Sequence, residues 1–172
     1  MKTQTRVAAV AAGFAALVAA SIVPVQAHHS FAMYNMSEVR VVTGVVDGID
    51  PAPNHLSINF AIMNEERNNV IRDEDNRPII WSVEMQGSAA MARQGVTVNA
   101  WPRGTVFSVA LHPLRNGEPG GSREGSMFRC PDGPDGPVRP EPGLHCDSVE
   151  GRIVIGGRGE DEATATLPEA TQ

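Results

Sequence analysis

Lysine is almost missing from this 172-residue chain: Lys2 is the only one. Arginine carries nearly all the positive charge, and against 20 Asp and Glu the formal net charge is −6. An acidic surface repels phosphate backbones, which argues against a nucleic-acid partner. Aromatic residues make up only 5% of the chain, too few for an extended base- or sugar-stacking face. There are two cysteines, Cys130 and Cys146, without the Cys-x-x-Cys spacing of a redox centre. Past the first two dozen residues there is no second long apolar run, so nothing reads as an integral membrane protein.

The one apolar run, "VAAVAAGFAALVAASIV" at 7–23, follows Lys2 and Arg6 and precedes Val25-Gln26-Ala27. A charged start, an apolar middle and small residues before a cut are the signature of a secretory signal peptide at 1–27. An uncleaved anchor is the alternative, but an Ala-rich run of about 17 residues is at the short limit for spanning. Cleavage removes Lys2 and Arg6 and takes the charge from −6 to −8. The expected location is the periplasm or outside the cell, with no membrane insertion after processing. In such a compartment Cys130 and Cys146 are expected to form a disulfide. It would staple a Pro- and Gly-rich insertion at 130–146.

The mature stretch reads as one domain, 28–157, with an acidic, polar tail at 158–172 expected to be disordered. Strand-like alternation runs through 38–50, 55–63 and 78–86, with Gly44 as a bulge or bend. Between the last two lies the charged connection 64–78. "SAAMARQG" (88–95) reads as a short helix, with Ser88 as N-cap and Gly95 as its stop. Strand patterns return at 104–114 and 147–157. Three strands, a short helix and two strands are the element order of an all-β, OB-like five-stranded barrel. A small β-sandwich is the alternative.

All five histidines lie beyond the signal peptide, and four fall where chemistry can use them. Cleavage after Ala27 puts His28 at the terminus, with His29 next; His55 opens the second strand and His112 ends the fourth. A terminal histidine offers its amino and ring nitrogens to one ion as a chelate, and an imidazole from elsewhere completes a T-shaped three-nitrogen set. That donor set suits Cu(II) best among common divalent ions. Cleavage one residue earlier would place a histidine third, a different Cu(II)- or Ni(II)-binding terminus. Each histidine also has a structural reading, as a frayed terminus or a hydrogen-bonded strand end. His145, beside Cys146, reads as surface decoration.

Other constellations are weaker. Arg115 in "LHPLRNGEPGG" sits in what reads as a tight turn at Asn116-Gly117, not an anion cradle. Asp73, Glu74 and Asp75 lack the spacing and glycine of a calcium loop. Ser30, Ser82 and Ser88 have no hydrolase context. Trp81 and Trp101 are candidate stacking platforms, although Trp81 in an alternating strand reads more readily as core.

The blocks "AHHSFAMYN", "PNHLSI", "WSVEMQGSAAMARQG" and "LHPLRNGEPGG", spread over roughly 20–122, resemble a family of uncharacterised bacterial secreted proteins. That family pairs a His-His-Ser-Phe-Ala start with a His-Pro-Leu-Arg-Asp-Gly-x-Pro-Gly-Gly block. The resemblance implies an exported small β-rich domain and places His28, His29, His55 and His112 on the family's histidine positions. This chain departs in reading "PNH" for Asn-Pro-His and in having Asn116 for Asp. It also adds the charged connection and the disulfide insertion. His28 and His112 are therefore the preferred ligand pair, with His55 or His29 assisting. The resulting expectation is a copper carrier or sensor. The alternatives are a metal-free accessory module for a periplasmic protein partner or small ligand, and a copper-dependent oxidative enzyme.

Overall fold

Alternating apolar residues at 40–62 and 80–84 have to bury one face, and a sheet closed on itself does this without leaving long open edges. The computed structural model describes residues 31–156 and 165–171. In it β1 (Arg40–Pro51), β2 (Leu56–Ile62), β3 (Ile80–Glu84), β4 (Val106–Pro113) and β5 (Gly120–Arg129) form a closed barrel. β1 pairs antiparallel with β2 and β4, β2 with β3, and β4 with β5; a parallel β3–β5 pairing closes the ring. Helix α1 (Ser88–Arg93) lies between β3 and β4. The fold is thus the expected all-β, OB-like barrel, with a short helix between its third and fourth strands.

The interior is filled by one side of each strand. Leu56, Ile58 and Phe60 of β2, Val83 of β3, and Phe107, Val109 and Leu111 of β4 are essentially inaccessible. Each such side chain contributes about 1.5–3 kcal/mol of burial. Phe60 meets Phe107 edge-on at 5.1 Å, and Phe107 meets Trp101 at 5.5 Å. Trp101, only 2% exposed, is therefore a core residue and not a stacking platform; Trp81 packs partly buried against the same core.

Gly44 is not a bulge. It sits in regular register opposite Ile62 and Phe107, and a Cβ there would lie 2.3 Å from the Phe60 ring. The irregularity in β1 falls between Val46 and Gly48. α1 differs from its expected start in the same local way. Gly87 is its N-cap, while Ser88 Oγ donates to the Ala52 carbonyl at 2.7 Å. Gly95, at φ +82°, ends the turn as expected, and Met91 points into the core.

The fifth barrel strand is β5, "GGSREGSMFR", and not 147–157. The latter provides only β8 (Ile153–Ile155), which pairs antiparallel with the end of β5 outside the ring. Between them β6 (Asp132–Gly133) and β7 (Gly136–Pro137) make a minimal hairpin.

The Cys130–Cys146 disulfide is present, with both cysteines fully buried. It folds the insertion over the outer face of β4, where a second apolar cluster gathers Met63, Val106, Phe128, both cysteines and Ala165. Every residue of β4 is consequently buried, inward and outward alike. The connection 64–78 turns back on itself through bridges Met63–Val70 and Arg72–Pro78, and Arg77 pairs with Asp73 and Asp75. Of the tail expected to be disordered, residues 165–171 lie along the domain. Ala165 is buried, and Thr171 exchanges hydrogen bonds with the Val39 backbone.

Candidate functional site

The segment ahead of β1 is laid along the end of β4. After a single 3-10 turn at Phe31–Met33, Tyr34 bridges Leu114, and Asn35 N–H donates to the Pro113 carbonyl at 2.8 Å. Arg115 clamps the segment, donating from its backbone to Met33 and from Nε to the Tyr34 carbonyl. The Asn116-Gly117 turn beside it forms as expected, with Gly117 at φ +79°. A strap from 31 to 38 therefore runs past two of the expected histidines, His112 and His55.

His112 lies near the end of β4 on the outward face, its side chain only 9% exposed. Nδ1 is 2.9 Å from the Glu38 carbonyl oxygen of the strap. A carbonyl only accepts, so Nδ1 carries the proton, and in a neutral ring Nε2 then carries the lone pair. Nε2 lies 3.1 Å from Oε2 of Glu124 on β5. Register explains the meeting. His112 is opposite Ser122 and Ala110 opposite Glu124, so Glu124 is the diagonal neighbour of His112 on the outward face; two extra residues of β5 fall just beyond it, between the Val109–Met127 and Ala110–Glu124 pairs. Gly125, at φ +58°, sits in that bulge and turns the strand there.

His55 is held by a different carboxylate. Its Nδ1 is 3.2 Å from Glu84 Oε1 and 3.3 Å from the Met85 carbonyl, both acceptors. The tautomer is again Nδ1–H. A histidine that donates Nδ1–H to a carboxylate or carbonyl, with Nε2 as the remaining donor atom, has the outer-shell pattern of metal-ligating imidazoles. Glu84 also accepts a hydrogen bond from the Tyr34 hydroxyl. Burial first, and then this carboxylate, push the phenol up to about 12. Glu84, Ser122 and His112 form one row across β3, β5 and β4. At about 4.8 Å per strand the ends of that row are about 10 Å apart at Cα.

The structure thus sets His55 and His112 on neighbouring parts of one barrel surface but does not join them. Among the described residues no group of three His, Cys, Asp or Glu side chains gathers at metal-binding distance. His28 and His29 lie outside the described residues, as does the signal peptide. Among the described residues no helix is long and apolar enough to cross a membrane.

His145 is not surface decoration. Its Nδ1 lies 2.7 Å from Thr43 Oγ1, which lies 2.7 Å from Ser108 Oγ, and that oxygen accepts from Cys146 N–H at 2.8 Å. Thr43 and Ser108 face outward from β1 and β4 yet are fully buried beneath the insertion. Arg67 reinforces this lid, donating from Nε to the Leu144 carbonyl at 2.8 Å. Burial, and then the nearby Arg67 charge, hold the His145 pKa below its ordinary value, while Asp147 opposes them weakly. No sequence spacing marked this network; it depends on which loop covers which strand.

The fold is an all-β, OB-like barrel, and its three described histidines, His55, His112 and His145, are each paired with a carboxylate or a buried hydroxyl. The chain belongs to a family of unknown function, DUF6152, whose model matches residues 15–123. The three sequence blocks that carry the histidines at 28, 29, 55 and 112, and the Trp81 block between them, fall inside that stretch, and the disulfide insertion falls beyond it. No curated protein and no solved structure matches the chain.

Proposed function

We propose that this is an exported protein that binds one transition-metal ion, copper, for carriage or sensing in the periplasm or outside the cell. The observation that supports the reading is the stance of His112. Its Nδ1–H is committed to the Glu38 carbonyl, so its donor atom is Nε2. The amino and ring nitrogens of a terminal His28, read from the sequence, supply the chelate. His55, oriented by Glu84 and Met85, or His29 assists. A neutral imidazole oriented by a backbone carbonyl is the ligand form a divalent metal takes.

The test uses secreted protein whose mass shows that it begins at His28. Competition titration with Cu(II) is expected to give one ion per chain with a sub-micromolar Kd. The same protein carrying one extra residue before His28 should bind far more weakly. Weak, non-stoichiometric binding that ignores the extension would contradict the reading. It would point instead to a metal-free accessory module with a protein or small-ligand partner. Consumption of oxygen and reductant with a substrate would mark a copper-dependent oxidative enzyme.

A further inference from the structure

Residues 131–145 lie over the outer wall of the barrel with little apolar packing to hold them. Within that stretch only Pro140 is buried, while Val138 and Leu144 are exposed. The attachments are polar. Gly143 N–H donates to the Glu65 carbonyl, Arg67 Nε to the Leu144 carbonyl, and Arg139 to the carbonyls of Arg67 and Asn68. The side-chain tie to the barrel wall is the bond between His145 and Thr43. A segment fixed by a few hydrogen bonds near the surface opens at far lower cost than a packed strand. We propose that residues 131–145 are a pH-released cover: protonation of His145 lets them lift from β1 and β4 while the barrel stays closed. The device lies beyond the metal reading and uses none of its residues.

The direction of the hydrogen-bond chain carries the argument. Cys146 N–H can only donate, and it donates to Ser108 Oγ. The arrangement in which every proton finds an acceptor passes the Ser108 proton to Thr43 and the Thr43 proton to His145 Nδ1. It holds only while Nδ1 keeps its lone pair. A proton on Nδ1 reverses both hydroxyls and turns the Ser108 proton out of the chain, inside a fully buried site. That leaves a buried donor short of its partner and sets a second cation beside Arg67.

Among the described residues the charges that act on the ring are Arg67, on the connection 64–78, and Asp147, on the turn that follows. Glu65 lies near Arg67 and offsets part of its charge. The strands β1 and β4 offer the chain hydroxyls, Thr43 and Ser108. Burial and Arg67 together disfavour the imidazolium in the closed cover more than Asp147 favours it. The cover is therefore held above the ordinary histidine value of about 6.5 and loosened as pH falls below it.

The experiment is amide exchange of mature wild-type protein, His145→Gln and Asp147→Asn from pH 7.5 to pH 5. Each rate is scaled to that of an unstructured peptide at the same pH. The amides of Gly143 and Cys146 should exchange at least about tenfold faster than those of β2 at every pH, as a locally opening unit does. In wild type their protection should fall with pH, by at most about tenfold per unit, the limit for one proton. His145→Gln should abolish that dependence. Asp147→Asn removes the charge that steadies the imidazolium yet keeps an acceptor for Leu167 N–H, so its total fall should be larger. Protection that is flat with pH in wild type, or a fall that survives unchanged in His145→Gln, would overturn the proposal. Equal protection of the cover and of β2 would overturn it as well, because the opening would then be global unfolding.

Discussion

His145 Nδ1 lies 2.7 Å from the hydroxyl of Thr43, a residue 102 positions earlier in the chain. This bond ties the disulfide-closed insertion to the outer wall of the barrel, and burial beside Arg67 keeps the imidazole neutral. Because its pKa is lowered on folding, the unfolded chain binds more protons in the window just below the ordinary histidine value of about 6.5. The resulting stability is present above that value and is lost as pH falls from it toward the folded value. Urea midpoints measured from pH 7.5 down to pH 5 should drop, and a His145→Gln variant should flatten that dependence.

Thr43 Oγ1 joins His145 to Ser108, so Thr43→Val leaves two buried polar groups short of a partner. The expected loss is about 1–3 kcal/mol. Equilibrium denaturation checks it, with an unchanged slope against urea showing that the unfolded state is unaffected.

The Cys130–Cys146 bridge closes a loop of sequence separation 16. Replacing both cysteines by serine should cost about 3 kcal/mol in the chain-entropy account. Burying two hydroxyls in the second apolar cluster adds to that loss. Loss of the insertion's grip on β4 should appear as faster amide exchange along Val106–Pro113.

Gly44→Ala is expected to destabilise the barrel by about 1–3 kcal/mol, the usual cost of overpacking. The added Cβ would meet the Phe60 ring at 2.3 Å, and that ring is already fixed edge-on against Phe107. A thermal melt of the variant beside a Gly48→Ala control, where a Cβ meets nothing within 4 Å, isolates the steric part.

Tyr34 and Glu84 should be energetically coupled. A double-mutant cycle of Tyr34→Phe and Glu84→Ala is expected to give about 1.5–3 kcal/mol, the worth of one hydrogen bond to a charged group. No coupling would mean that the strap's backbone bonds to Pro113 and Arg115 alone hold it in place.

Four of the barrel strands and the helix were legible because their alternation, or their Gly95 stop, is local. β5 was not, because "GGSREGSMFR" opens on two glycines and carries charges. Its bulge at Gly125 also breaks the period-two pattern that marks a strand. Glu124 was missed with it. His145 was missed because its Pro- and Gly-rich surroundings read as an exposed loop, and because Thr43 and Ser108 occupy the strand face that a simple barrel gives to solvent. Long-range covering by the insertion reverses that assignment, and composition does not report it. His112 was legible as a strand-end histidine; its partners, a strap carbonyl and a carboxylate diagonally across on β5, follow only from the three-dimensional register.

The most direct test of the account is the EPR spectrum of protein beginning at His28, loaded with one Cu(II), in wild type and His112→Ala. The account predicts an axial, nitrogen-rich signal in wild type that changes to a different, weaker-bound species in the variant. Identical spectra and affinities in the two proteins would contradict it, and would leave His112 as a hydrogen-bonded strand end.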